Sequence, residues 1–179
     1  YGLTEKFILS PNQFWMHKNH QVILDALLLL QQEQFNCKIV FTGKEFDHRN
    51  PDYVNGLKAF VEKNQLGDLV KFLGFIDRQD QLQLMQLSKA VLQPSKFEGW
   101  STVVEDAKAL NKPIIASAIP VHREQLGAKG YFFECDDAAS LATLLKKIFE
   151  SELPEPDYHY EVDCRQFAED FYQLITKTA

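Results

Sequence analysis

The chain has 179 residues, 45% of them hydrophobic and 12% aromatic, enough to bury a full core as one domain. Its formal net charge of −6 argues against a nucleic-acid surface, and no apolar run of about 18 residues is present to cross a membrane. The three cysteines, Cys37, Cys135 and Cys164, lie far apart with no C-x-x-C pairing, as expected of reduced structural thiols in the cytoplasm.

In chain order, short β-rich apolar runs alternate with longer runs of helical period. Lys6–Ser10 reads as a strand, followed by a polar and aromatic loop from Pro11 to His20. Val22, Ile23, Ala26, Leu27 and Leu30 predict a helix over 20–34. A second strand, Lys38–Thr42, stops at Gly43, and Tyr53, Leu57, Phe60 and Val61 mark one face of a helix over 52–64. Val70–Leu73 is the third strand, Arg78–Leu87 a Gln-rich helix, and Ala90–Gln93 the fourth strand. A helix over 102–110 leads to a fifth strand, Pro113–Ala116, and Tyr131–Phe133 is the sixth. A helix over 138–151, capped by Asp136 or Asp137, a Pro-rich connector over 153–157 and a helix over 163–176 complete the chain. Strand–helix alternation of this length implies right-handed crossovers. The expected fold is therefore α/β: a Rossmann-like, doubly wound parallel sheet of about six strands.

The chain is organised around VLQPSKFEGWSTVVEDAKALNKPIIASA, residues 91–118. Between a buried strand and a helix stands Phe97-Glu98-Gly99-Trp100-Ser101-Thr102, where a glycine permits close approach of backbone to a ligand. Hydroxyl residues can cap the helix, whose free N–H groups make an anion site suited to phosphate. Acidic Glu98, Glu105 and Asp106 beside such a site point to bound hydroxyls. Phosphate with hydroxyls describes a nucleotide, a sugar, or the two joined. In an open α/β sheet this turn would share one crevice with the loops after strands one to three, which contain Gln13, Lys18, Gly43, Phe75 and Ile76.

Residues 94–115 resemble the E-x7-E signature of retaining glycosyltransferases of the GT-B fold, in the family-4 (group 1) set. Pro94-Ser95, Glu98-Gly99, Ala107 and Pro113-Ile114-Ile115 fall in step without a gap, which makes Asp106 the second acidic position. The family pattern has Glu there and a second glycine where Ser101 stands. Lys18 matches the family lysine that grips the donor diphosphate, while Gln13 stands where the pattern has Arg. Phe72-Leu73-Gly74-Phe75 is similar to the strand whose end contacts the nucleobase.

The resemblance implies the donor-binding half of an enzyme that transfers a sugar from a nucleotide-sugar, with retention, in glycan or polysaccharide biosynthesis. Glu98 and Lys18 are its expected catalytic residues. Gln13, Lys18, Gly43, Phe75, Ile76, Glu98, Gly99, Trp100, Ser101, Thr102 and Asp106 are the expected donor-binding residues. No metal and no cofactor is expected, the nucleotide-sugar being the donor substrate. The other partner that the resemblance implies is a preceding N-terminal, acceptor-binding domain, because GT-B enzymes have two such halves. Tyr1-Gly2-Leu3 has no signal-peptide pattern and no initiator Met, as expected of a cut-out domain. Any peripheral membrane association would come through that half. The donor domain is expected over 1–155, with 156–179 crossing back as a helix, and the fragment alone is expected to be inactive.

Other readings of the same residues stand beside these. Glu105, three after Thr102, has capping-box spacing and a structural reading. His17 and His20 lack further metal ligands at suitable spacing. His122 reads as a surface residue at a helix start near the crevice, and Trp15 and Trp100 either wall the pocket or pack. A nucleotide-sugar epimerase or hydrolase, or a noncatalytic nucleotide-binding module, would share this fold. A dinucleotide oxidoreductase would need G-x-G-x-x-G after strand one, where Asn12-Gln13-Phe14-Trp15 stands.

Overall fold

The computed structural model describes residues 1–151, 154 and 156–177. Six strands form one all-parallel sheet in the order β3-β2-β1-β4-β5-β6. They are β1 (Ile8–Pro11), β2 (Ile39–Thr42), β3 (Val70–Phe72), β4 (Val91–Gln93), β5 (Ile114–Ser117) and β6 (Tyr131–Phe133). The helices are α1 (His20–Gln32), α2 (Tyr53–Lys63), α3 (Arg78–Leu87), α4 (Thr102–Ala109), α5 (Pro120–Leu126), α6 (Ala138–Phe149) and α7 (Tyr160–Lys177). The order reverses between β1 and β4, the switch point where open parallel sheets open a crevice beyond their carboxyl ends.

The period of two along each strand divides the core between two faces. Ile8, Ile39, Phe41, Leu92, Ile115 and Phe133 pack under α1, α2 and α6, with Leu27, Leu57 and Leu145 among their partners. Leu9, Val40, Val91, Ile114 and Ala116 face the other way, under Leu84 and Met85 of α3, Val104 and Ala107 of α4 and Leu126 of α5. Both faces are covered, so the strands are mostly apolar rather than alternating, with polar residues at strand ends such as Thr42, Gln93 and Ser117 and Lys71 within β3.

The caps explain several helix starts. Asp77 accepts from the Asp80 N–H at 2.9 Å at the head of α3, and Asp137 accepts from the Ser140 N–H at 2.9 Å at the head of α6. Asp137, not Asp136, is therefore the cap. The last helix begins at Tyr160, three residues earlier than its apolar spacing predicts. Before it, Tyr158 is buried, donating its N–H to Asn111 at 3.0 Å and its hydroxyl to the Lys129 carbonyl at 3.2 Å. Leu153 and Glu155 of the expected connector, with the boundary placed at 155, lie outside the described residues.

The sequence reading gives α5 only as a helix start near His122, without bounds. Its seven residues offer too few apolar positions to show a helical period, and two of its inward side chains, His122 and Gln125, are polar. The three cysteines are unpaired, with Cys37 buried and its thiol pushed up by desolvation. No described helix is long and apolar enough to cross a membrane.

Candidate functional site

Beyond β1 the chain turns across the end of β2, at a contact only glycine allows. Gly43 has φ of +141°, and a Cβ there would stand 2.1 Å from the Asn12 carbonyl oxygen. Gly43 in turn donates its N–H to the Gly74 carbonyl at 2.8 Å, and Phe14 donates to the Lys44 carbonyl at 3.2 Å. Three strand-end loops are thereby joined through backbone. Phe14 anchors the first of them, buried and stacked on His20 with ring centroids 4.4 Å apart.

A single 3₁₀ turn, Met16–Lys18, then presents Lys18, and Asn19 leaves it in a left-handed conformation with φ of 56°. The Asn19 side-chain amide donates to the carbonyls of Pro94, at 3.2 Å, and Cys135, at 2.7 Å. Lys96 donates its N–H to the His17 carbonyl at 2.8 Å. The lysine-bearing turn is thus fastened to the turn after β4.

That second turn holds Glu98. Its Oε1 accepts from Lys18 Nζ at 2.5 Å, Ser95 Oγ at 2.7 Å and Gln93 Nε2 at 3.2 Å. No described residue donates to Oε2. The Lys18 and Glu98 side chains are only 13% and 10% exposed, so their attraction acts with little screening. Gly99 follows with open space around it: a Cβ there would meet nothing within 4 Å.

Ser101, not Thr102, is the N-cap of α4, with its hydroxyl 3.4 Å from the Val104 N–H. The hydroxyl also accepts from Gln93 at 2.9 Å. From α5, Gln125 grips the same residue twice, accepting the Ser101 N–H at 3.2 Å and donating to its carbonyl at 3.0 Å. The Ser101 N–H is therefore taken, which leaves the first helical N–H groups, at Thr102 and Val103, for an anion.

Shifting the cap by one residue overturns the capping-box reading of Glu105. Its carboxylate instead accepts from Gln125 Nε2 at 2.7 Å and lies 3.5 Å from Lys108 Nζ. The role is structural, but it belongs to the α4–α5 contact. Asp106 takes a different partner: Arg78 Nη1 and Nη2 reach its Oδ2 and Oδ1 at 2.6 and 2.5 Å.

A cavity of about 260 Å³ opens between these loops. Of the expected donor residues it brings together Gln13, Lys18, Gly43, Phe75, Ile76 and Thr102, along with Trp15, Gln81 and Val103. Glu98 adjoins it through Lys18. Asp106 stands on α4 one turn beyond Thr102 and Val103 and does not line it. Trp100 is 54% exposed and lines a separate groove of about 590 Å³ with Glu105, Lys108, Tyr160, Asp163, Cys164 and Phe167. Trp100, expected among the donor residues, therefore does not line the cavity that holds Lys18 and Thr102.

Histidines behave differently from a metal pair. His20 is buried among Phe14, Phe41 and Tyr53, and among the described residues neither ring nitrogen makes a well-formed hydrogen bond, only a weak approach to the Asn12 backbone. Desolvation lowers its pKa to about 3, partly offset by the Asn12 backbone. His17 instead lies against Trp15 and Phe97. Among the described residues no group of three or more His, Cys, Asp or Glu could hold a metal ion.

His122 is fully buried, a correction to its reading as a surface residue. Its Nδ1 lies 3.0 Å from the Ser117 carbonyl, which can only accept, so Nδ1 carries the proton. Desolvation holds this imidazole below its ordinary pKa. The Ser117 hydroxyl, 3.1 Å from Nδ1, donates to the Ser95 carbonyl at 2.5 Å. Gln93, Ser117, Gln125 and Arg78 are the site-supporting residues that sequence reasoning missed, and His122 is one it placed near the crevice but on the surface. Polar residues at strand ends or in a seven-residue helix give no periodic signal.

Residues 2–168 match the family described as glycosyl transferases group 1. The O-antigen chain mannosyltransferase RfbU of Salmonella typhimurium is 29% identical over 152 residues, covering 84% of this chain and 40% of that protein. The crystal structure of Anabaena Alr3699/HepE in complex with UDP superposes with a TM-score of 0.76 at 20% identity, covering 94% of this chain and 49% of that one. The same protein in complex with UDP-glucose gives 0.72 at 23% identity, with coverages of 84% and 41%. This chain therefore spans less than half the length of each of these relatives.

Proposed function

The chain belongs to the group 1 glycosyl transferase family, and on that premise we propose that it is the donor-binding half of a retaining enzyme that moves a sugar from a nucleotide-sugar to an acceptor in polysaccharide biosynthesis. The observation that carries the reading is the division of labour within the Glu98 carboxylate. Three donors fix Oε1, leaving Oε2 as a positioned acceptor beside Lys18 and the cavity. UDP and UDP-glucose in the Anabaena structures and the mannosyltransferase relative support a nucleotide-sugar as the substrate class.

The nucleobase lies against Phe75 and Ile76, and the ribose turns its hydroxyls toward Asp106 on α4. The diphosphate is held by the Thr102 and Val103 N–H groups and by Lys18, with Gln13 close by. As the bond from the anomeric carbon to the diphosphate breaks, negative charge grows on the leaving oxygen. Lys18 and the positive end of α4 stabilise it without reorganising. Positive charge grows at the anomeric carbon, where Glu98 Oε2 stabilises it and holds a sugar hydroxyl. The acceptor arrives from a preceding domain. The apolar stripe of α7, Phe167, Phe171, Leu174 and Ile175, is exposed here and packs toward that domain in this reading. A cytoplasmic location and inactivity of this half alone belong to the same proposal.

The test uses the full-length protein with a panel of UDP- and GDP-sugars in EDTA. Transfer with the donor's anomeric configuration preserved is expected, since Lys18 and the helix start supply the positive charge. Inversion, or activity abolished by chelation and restored by Mn²⁺, overturns the reading.

A further inference from the structure

Two carboxylates stand side by side on α4, and the structure assigns them opposite partners. Glu105 faces Gln125 and Lys108, whereas Asp106 is clasped by both terminal nitrogens of Arg78. Arg78 opens α3, directly after Asp77 and two residues beyond Ile76. Phe75 and Ile76 before it, and Gln81 after it, all line the cavity. On the other side, Asp106 sits one helical turn beyond Thr102 and Val103, which line the same cavity. The ion pair thus ties the segment proposed to meet the base to the carboxylate proposed to meet the ribose.

From this geometry we infer that Arg78 is a positioning residue for nucleoside recognition, acting through Asp106. This rests on the reading of the cavity as a nucleotide-sugar site. Aspartate is one methylene shorter than glutamate and turns about fewer bonds, so its oxygens lie where Arg78 holds them. Each carboxylate oxygen has two acceptor directions, and the bidentate fork uses one on each. The remaining two point outward on opposite sides of the carboxylate, so one of them, its direction fixed by the fork, can accept a ribose hydroxyl. Arg78 is 57% exposed and Asp106 17% exposed, so the pair by itself adds little to folding stability. Its consequence lies in the direction in which Asp106 presents its remaining acceptor. Lysine could supply charge at residue 78 but not the fork that fixes both oxygens.

The experiment measures binding to the full-length protein by calorimetry, using whichever of UDP and GDP binds, its 2′,3′-dideoxy counterpart, and inorganic pyrophosphate. Arg78→Ala is expected to weaken the ribonucleotide about tenfold, the scale of one hydrogen bond to a charged group, with less than about twofold effect on the other two. Arg78→Lys should recover only part of the loss, and Asp106→Asn should reproduce it. Combining Arg78→Ala with Asp106→Asn should then cost no more than Asp106→Asn alone. If Asp106→Asn costs ribonucleotide affinity selectively and Arg78→Ala does not, or if Arg78→Ala weakens all three ligands alike, the inference fails while the donor-site reading stands. If Asp106→Asn itself does not separate the ribonucleotide from its dideoxy form, the ribose placement fails and the inference falls with it.

Discussion

Replacing Glu98 by glutamine separates the two halves of its carboxylate. The glutamine carbonyl can keep all three donors now on Oε1, Lys18, Ser95 and Gln93, and its amide then stands where Oε2 was. Folding loses charge but not connectivity. At the 2.5 Å separation and an effective dielectric of about 20, the gross Lys18–Glu98 attraction is about 6–7 kcal/mol. Most of that only offsets the desolvation of two nearly buried charges. Glu98→Gln should therefore cost about 1–3 kcal/mol in urea unfolding. Glu98→Ala, which leaves Lys18 without its partner, should cost about 3–5 kcal/mol. Activity should move differently. The substitution presents a donor and no charge to a centre gaining positive charge, so kcat should fall by about 10²–10³-fold with a much smaller rise in KM. The assay is nucleoside diphosphate release by the full-length protein, at a temperature where circular dichroism shows both variants folded. A Glu98→Gln enzyme keeping a third or more of kcat would refute the charge-stabilising role. Equal destabilisation by Gln and Ala would refute the partition of the two oxygens.

Glu105→Ala should cost about 1 kcal/mol of stability by freeing Gln125 and Lys108, yet leave nucleotide affinity within about twofold, as read by thermal unfolding and calorimetry. Ser101→Ala removes both the α4 cap and the acceptor for Gln93, and should cost about 1–2 kcal/mol in the same unfolding assay. His20 stays neutral when folded and gains a proton on unfolding below its ordinary value of 6.5, so the unfolded state binds more protons as pH falls toward about 3. Stability is thus lost on acidification through that window, by up to about 5 kcal/mol at the lower end, at roughly 1.4 kcal/mol per pH unit. His20→Phe should flatten this acid limb in urea titrations from pH 7 to 4; an unchanged limb would place the titration elsewhere.

The parts of the fold that follow from repetition were legible in the sequence. Apolar strands covered on both faces leave runs such as Ile39–Phe41 and Ile114–Ala116, and α1 shows its period because seven of its residues are buried. What escaped is fixed by single tertiary partners. Ser101 and Thr102 are adjacent hydroxyls of nearly equal capping ability, and the choice between them is made by Gln93 and Gln125, residues 8 and 24 positions away. Asp106 and Arg78 are separated by 28 positions, and neither helix carries a pattern that joins them. His122 is polar and so reads as surface, yet it is buried because the Ser117 carbonyl satisfies its N–H. Turn residues held by conformation, such as Gly43, were easier, although the cause there is a neighbouring backbone as well as any ligand.

The buried polar residues on the far side of the Glu98 turn also bear on how the site works. A turn of eight residues between β4 and α4 would ordinarily be mobile, and a mobile carboxylate must be ordered again in each catalytic cycle. Here the order is built into the fold. Asn19 holds the Pro94 carbonyl, Ser117 holds the Ser95 carbonyl, and Gln125 holds both backbone groups of Ser101. Each is a side chain from outside the turn satisfying a backbone group that packing alone could not. The departures from the family pattern at Ser101 and Asp106 fall at points that such partners take up. Ser101 gains Gln93 and Gln125, and the shorter Asp106 gains Arg78. At both positions, then, a side chain from another element fixes the geometry, so the start of α4 and the Asp106 carboxylate are held in place by the fold itself.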